Sequence, residues 1–475
     1  VEEGLEREEK GKDSKHFLTE GPMKRSLLFF TLPLFLSNLF QQLYNTVDTV
    51  LVGWCIPEAL PAVSTSGHLV FLLVGFFSGL ASGASVFIAN FFGAKKYDEM
   101  EKAIHTNVLF GVICGAVFSL LGCLLTPYVL MLLDTSEASM PYGIEYFRVY
   151  FAGSFTVVLY NVFVGILQAV GDSKRPLYYL IISSCLNVLL DYLFLAVFGW
   201  GVWSAALATV LSQGVSMVLC IIRLATVKDV YRLSFKKLRF YKGMLSGILK
   251  IGLPSGIQNS VIALANLFIL RQVNSFDDEA IVAGLGCYMK VEGFAFLPIT
   301  CFSLSLSTFV SQNLGAKEYD RAKKGARFGI LCSVGAALVI GTMLFIFAPF
   351  FMSLFTADSM VINHGVNQLR TEAFFYGLLA YAHCIAGICR GAGRASVPMI
   401  IMLSCWCVFR VIALAICLAI NKNVYFVYAM YPVTWAISCI VFAIYYYASD
   451  WVHAYEKKPK KSSKNEAHGE AQQSA

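Results

Sequence analysis

Charge is what this chain lacks. Only 14% of its 475 residues are Asp, Glu, Lys or Arg, against about 25% in an ordinary soluble domain. So few charges cannot cover a water-facing surface, which excludes a soluble globular protein. Histidine is also scarce, at 7 residues. No His/Glu metal motif, no nucleophile motif and no soluble catalytic domain is present. That pattern argues against an enzyme and against a bound cofactor. The 14 cysteines lack a pairing pattern. Most fall inside apolar blocks, as Cys114, Cys123, Cys185, Cys332 and Cys439 do, where they read as small hydrophobic fillers. Cys405-Trp406-Cys407 is mid-block and lacks the usual spacing of a metal site. The net charge of +7 sits in short loops and a terminal tail. No basic fold is left to hold a nucleic acid, so the charge points to an anionic membrane surface instead.

What is present is oil. Hydrophobic residues make up 57% of the chain, with a mean hydropathy of +0.66. They come in blocks of roughly 20–30 residues, enough to cross a hydrocarbon core about 30 Å thick. Backbone groups find no water there, so each block must be a helix. Twelve spans are expected, near 26–54, 66–92, 106–131, 143–169, 177–199, 201–225, 247–274, 281–313, 326–356, 360–388, 397–420 and 424–451. The loops after the even-numbered spans are basic, and the long VKDVYRLSFKKLRFYK stretch is the most basic. The opposite loops are acidic or neutral except for Lys422. The positive-inside rule then puts both termini in the cytoplasm. Residues 1–25, rich in Lys, Glu and Asp, read as a cytoplasmic lead-in and not a signal peptide. Residues 452–475 read as a basic disordered cytoplasmic tail.

The chain also contains itself twice. Phe87-Ile-Ala-Asn-Phe-Phe-Gly-Ala-Lys-Lys-Tyr-Asp98 matches Phe309-Val-Ser-Gln-Asn-Leu-Gly-Ala-Lys-Glu-Tyr-Asp320, 222 residues later. Gly171 and Pro176 match Gly393 and Pro398 at the same offset. At an offset of 221, Leu32-Pro33, Asn38 and Asn45 match Leu253-Pro254, Asn259 and Asn266. Six spans per copy make these parallel repeats about an axis along the membrane normal. The expected domains are an N-lobe over 26–225, a cytoplasmic linker over 226–246 and a C-lobe over 247–451. Two lobes around a cavity suit a transporter better than a channel.

The chemistry is expected where charge interrupts the oil. A mid-helix Asp, Lys or Arg is unfavourable by roughly 2.5–3.5 kcal/mol on an insertion scale. Asp48 in span 1 and Asp191 in span 5 both carry that cost. Tyr44 and Asn187 each lie four residues earlier on the same helix face. Thr209 in span 6 can add a hydroxyl oxygen. The set offers hard oxygens for Na⁺, or two carboxylates for one shared proton. At the mapped positions the second half has Ile269, Phe409 and Ala413, so this site is not duplicated. The C-lobe has Lys290 and Glu292 in span 8, Glu372 and His383 in span 10 and Arg410 in span 11. Glu292 is the expected partner of Arg410, and Glu372 is expected at the outer interface beside Arg370. His383 reads as a hydrogen-bonded helix residue. Asn38, Gln41, Gln258 and Asn259 are candidate cavity residues near the two prolines.

The order Leu32-Pro33, Asp48-Thr-Val-Leu-Val-Gly53, Gly93-Ala-Lys95 and Gly171-Asp-Ser-Lys-Arg-Pro176, with Gln312-Asn-Leu-Gly-Ala316 in the second copy, resembles a bacterial protein of the multidrug and toxic compound extrusion (MATE) family. The likeness covers residues 26–450, and the Asp48 group is similar to that of the DinF-like branch. The resemblance implies a V-shaped pair of six-helix lobes in the inner membrane. It also implies export of drugs or metabolites, often organic cations, against inward H⁺ or Na⁺; the sequence itself gives no reason to expect more than a monomer. Tyr44, Asp48, Asn187, Asp191 and Thr209 would then form the N-lobe cation site, with Pro33 at a bend of the first helix. The NorM-like branch has a carboxylate in span 7, and residues 251–270 hold none. A lipid-linked oligosaccharide flippase of related architecture is the alternative reading. It calls for a cationic cavity, and Lys290, Arg410 and Arg271 are the only deep basic residues on offer.

Overall fold

The computed structural model describes residues 17–56, 60–132, 139–276 and 278–456. Residues 1–16 of the lead-in, 457–475 of the tail and parts of three acidic loops lie outside the described residues.

Among the described residues, twelve helices are long and apolar enough to cross a membrane. We label them α1 (Met23–Cys55), α2 (Leu60–Gly93), α3 (Tyr97–Leu132), α4 (Met140–Ala169), α5 (Lys174–Asp191, continued by a π-helical turn over Tyr192–Val197), α6 (Trp203–Thr226), α7 (Met244–Asn274), α8 (Glu279–Gly315), α9 (Tyr319–Ile346), α10 (Ser359–Gly391), α11 (Ser396–Ile420) and α12 (Tyr425–Ala448). Leu120, Leu124, Leu331, Val339 and Ile420 stand well exposed on the outside of the bundle, as lipid-facing residues do. Three boundaries differ from the sequence expectation by seven residues or more. Helices α3 and α9 begin seven to nine residues early, at Tyr97 and Tyr319. Asp98, Glu99 and Asp320 fall in their first turns, where the helix dipole favours acid. Helix α9 stops at Ile346 because Pro349 opens a separate short helix, Ala348–Ser353.

The repeat is carried by backbone as well as sequence. Lys95 and Lys317 adopt φ of 55° and 62°, and Gly171 and Gly393 adopt 88° and 73°. Each pair ends matching helices with matching bonds. Lys96 N–H donates to Phe91 O at 3.0 Å, and Glu318 N–H to Asn313 O at 2.8 Å. The left-handed residue lets the chain reverse while late carbonyls keep a donor.

The two halves meet along α2, α7 and α8. Gly79 and Gly83 of α2 face Ser255, Gly256 and Gly252 of α7, and a Cβ on Gly79 would come within 2.6 Å of the Ser255–Gly256 peptide. Small residues let helix backbones touch where no hydrophobic force drives them together. At the end carrying the Gly-Ala-Lys turns, a Cβ on Gly93 would overlap the Gln312 carbonyl, and one on Gly315 the Asn90 carbonyl. Polar residues of the repeat close the same seam. Ser311 Oγ donates to Val86 O at 2.7 Å, and Gln312 Nε2 to Ala169 O at 2.7 Å.

Helix α1 spans both halves. Its first part buries Leu27, Phe30 and Leu34 among Ile299, Phe302 and Leu306 of α8. Asn38 Nδ2 donates to Cys301 Sγ at 3.1 Å. Pro33 is buried within this stretch, and its carbonyl accepts the Ser37 hydroxyl at 2.8 Å. The linker between halves is held by α3. His105 Nδ1 lies 2.7 Å from Glu101 O, which leaves Nε2 to accept the Ser234 N–H at 3.0 Å. Tyr241 N–H donates to Thr106 Oγ1 at 3.2 Å, and Gly243, at φ 86°, starts α7.

Candidate functional site

Four helices bring polar groups to one place in the first half. Asp48 comes from α1, Asn187 and Asp191 from α5, Thr209 and Gln213 from α6, and Tyr146 and Tyr150 from α4. Asp191 is 0% and Asn187 1% exposed. Asp48 is half-buried, but its Oδ1 is enclosed. The two carboxylates are near enough to act on each other's charge, and both act on Tyr44 and Tyr146. Tyr44 Oη accepts from Gln213 Nε2 at 3.3 Å. Asn187 Nδ2 points at Thr209 Oγ1 at 3.5 Å, and Thr209 donates to Ala205 O at 3.2 Å.

The oxygens are the notable part. Asp48 Oδ1, both Asp191 oxygens and Asn187 Oδ1 are enclosed and accept no hydrogen bond from any described residue. Thr209 keeps a lone pair free after its own donation. Buried acceptors without donors are costly, by roughly 1–3 kcal/mol each. A proton or a hard monovalent cation relieves that cost, because each supplies the missing positive partner. Among the described residues there is no group of three or more His, Cys, Asp or Glu poised for a metal ion, so an ion here would need the amide and hydroxyl oxygens beside the two carboxylates. The π turn that begins straight after Asp191 loosens the helix at this point. Such turns are frequent at functional sites.

Gln213, Tyr146 and Tyr150 escaped the sequence reading. Tyr146 and Tyr150 stack at 6.3 Å with an interplanar angle of 10°. Their four-residue spacing was visible, but α4 carries many aromatics and nothing in the chain said which faced Asp48.

The second half holds a separate polar cluster, which differs from the sequence expectation in three ways. Glu372 is not interfacial. It is 0% exposed, near the middle of α10, and accepts from the Tyr288 hydroxyl and from Gln368 Nε2 at 3.1 Å. Arg410 is not ion-paired to Glu292. Its Nε and Nη2 donate to Thr434 Oγ1 at 3.0 and 2.7 Å, and its guanidinium lies 4.4 Å from the Tyr431 ring centre. Packing of α12 against that face of α11 puts Thr434 and Tyr431 in the way, so the arginine feels Glu292 and Glu372 only through space. Lys290 belongs to neither group. It is exposed and lies 5.6 Å over the Phe355 ring, because two residues along α8 turn it away from Glu292. His383 Nε2 is enclosed without a hydrogen-bond partner among the described residues, and its ring packs against Phe296 and Trp406.

Of the candidate cavity residues, Gln41 is exposed near Tyr44. Gln258 Nε2 contacts Met402 Sδ at 3.0 Å, and Asn259 Nδ2 donates to Gly75 O at 3.1 Å. Asn38, Gln258 and Asn259 therefore spend their amides on helix packing. One stability prediction follows. Tyr288→Phe removes a donor from buried Glu372 and should cost about 1–3 kcal/mol, read as a lower Tm of the purified protein in detergent. Tyr431→Phe keeps the ring under Arg410 and should change Tm far less.

The MatE family model matches residues 33–193 and 254–416, once per half. The probable multidrug resistance protein YoeA of Bacillus subtilis is 29% identical over 435 residues, which cover 89% of this chain and 93% of that one. In three dimensions the chain is similar to a MOP superfamily transporter from Pyrococcus furiosus, with a TM-score of 0.88, 22% identity, and 94% of this chain and 99% of that one covered. It is equally similar to an outward-facing multidrug resistance MATE transporter, with a TM-score of 0.87, 23% identity and the same shares covered. A family model that takes each half in turn, over twelve helices in two six-helix lobes, places this chain in the MATE family of membrane transporters, and not among enzymes.

Proposed function

We propose that the protein is a secondary active efflux pump. It exports organic, often cationic, compounds in exchange for inward H⁺ or Na⁺ by alternating access. The observation that carries this reading is the pair Asp48 and Asp191, of which Asp48 Oδ1 and both Asp191 oxygens are enclosed and accept from no described donor. Asp48, Asp191, Asn187 and Thr209 hold the cation, with Tyr44 as their neighbour on α1. No cofactor is needed, since an ion gradient supplies the work. A membrane potential adds about 2.3 kcal/mol per charge per 100 mV.

Helix α1 supplies the coupling. Its inner part is packed on α8 and contains Pro33, and Asp48 lies on its outer part at the site. Proline removes a backbone hydrogen bond, so this is where α1 bends most cheaply. Cation binding at Asp48 and Asp191 biases that bend and releases substrate outward. The lobes over 26–225 and 247–451 rock about the seam of α2, α7 and α8, with the 226–246 linker on the cytoplasmic side. Both termini face the cytoplasm of a bacterial inner membrane, and the protein works as a monomer. YoeA and other relatives named as multidrug resistance proteins support the drug-efflux part. The flippase reading has less support, because Arg410 is committed to Thr434 and Lys290 stands apart.

Proteoliposomes with separately imposed proton and sodium gradients test the proposal, with ethidium or a fluoroquinolone as the cargo. Uphill movement with one of the two gradients is expected. Downhill flux alone under both would mean a channel.

A further inference from the structure

A cavity lies at the other end of α1 from Asp48. It is about 1000 Å³ and sits at the end of the first half that carries the Gly-Ala-Lys and Gly171 turns, between the start of α1, the α4–α5 turn and the start of the linker. Four cations line it: Arg25, Lys174, Arg175 and Arg223. Three carboxylates line it too: Glu20, Asp172 and Asp229. Two of these are engaged locally. Asp172 pairs with Arg175, and Glu20 pairs with Lys95 at 3.0 Å. Arg25, Lys174 and Arg223 make no ion pair within 4 Å to a described acidic residue. They leave a cationic surplus against Asp229. Arg223 donates through Nη2 to Tyr231 Oη at 3.3 Å, and its Nε is enclosed with no described acceptor.

The same cavity has an oily rim. Phe29 of α1 and Tyr178 of α5 line it and are 50% and 58% exposed on the outside of the bundle. The first turn of α5 adds N–H groups with the positive end of a helix dipole. A ligand fitting both features has an anionic phosphodiester to place among the cations and acyl chains to lay against Phe29 and Tyr178. Basic pockets between membrane helices on the cytoplasmic side take such headgroups.

We propose that this cavity binds the headgroup of an anionic phospholipid. The bound lipid ties α1 to the α4–α5 turn at the inner-leaflet end, the leaflet following the orientation proposed above. Each of Arg25, Lys174 and Arg223 is expected to contribute about fivefold to retention.

The test is native mass spectrometry of the whole protein released from micelles doped with either phosphatidylglycerol or phosphatidylcholine. Preferential retention of phosphatidylglycerol is expected. Lys174→Gln, a change at an exposed position, should lower it about fivefold, and the combined Arg25→Gln, Lys174→Gln and Arg223→Gln variant about a hundredfold. Lys228→Gln, outside the cavity, should leave it unchanged. If the combined variant does not fold, Lys174→Gln against Lys228→Gln decides. Equal retention of the two lipids overturns the proposal, as does a Lys174→Gln result equal to the control. Inorganic phosphate that binds to the protein and displaces the lipid at equal concentration would overturn it in favour of a soluble anion.

Discussion

Asp48→Asn and Asp191→Asn are each expected to abolish most gradient-driven transport while leaving the protein folded. The amide keeps the shape of the carboxyl but cannot carry a proton and binds Na⁺ without charge. Coupling between two ligands on one transporter is typically about 1–3 kcal/mol, a factor of roughly 5–150. The loss of uphill substrate movement should fall in that range. Folding should survive, because Asp48 Oδ1 and both Asp191 oxygens accept from no described residue in the first place. Removing a buried charge that lacks a partner should even raise Tm. The measurement is substrate efflux from proteoliposomes beside a thermal melt of the same preparation. Wild-type transport by both variants would sink the cation site. Low transport with a collapsed Tm would reassign the pair to structure.

The second large effect is expected at the seam. Gly93→Ala and Gly315→Ala place methyl groups onto the Gln312 and Asn90 carbonyls of the opposing half. These neighbours are backbone, so neither can swing aside. Overpacking costs about 1–3 kcal/mol, and that cost applies only while the seam is shut. The closed population should therefore drop roughly tenfold for about 1.4 kcal/mol. Reactivity reports it. Ser311 is fully buried in the seam, so a cysteine placed there should gain maleimide labelling by about that factor when Gly93 is alanine. Gly335→Ala is the control, since a Cβ there meets nothing within 4 Å. Equal labelling in both would show that the glycines do not hold the seam.

The two predictions address different parts of one device. In the proposed mechanism cation occupancy acts on the outer part of α1, and the inner part of α1 lies in the core of the other half. A ligand shifts a two-state equilibrium only through its differential affinity for the states. The proposed bend of α1 at Pro33 would supply one, because it would move Asp48 relative to Asp191 on α5.

The helices, their number and the repeat follow from the order of the residues. In lipid, a long apolar run has no alternative to a helix, so span assignment needs no tertiary information. The paired φ values at Lys95 and Lys317, and at Gly171 and Gly393, follow from a repeat that was readable as letters. Asp48 and Asp191 stood out for a similar reason, since charge in oil is conspicuous wherever it falls. Side-chain partners came only with the packing of the helices. A residue's neighbour across a helix interface depends on helix rotation and crossing, and one residue of shift turns a side chain by about 100°. That is why Thr434, far along the chain on α12, took the place assigned to Glu292 beside Arg410. It is also why Glu372 went to Tyr288 inside the bundle and not to the membrane surface, and why Gln213 and Tyr146 joined the Asp48 site unannounced.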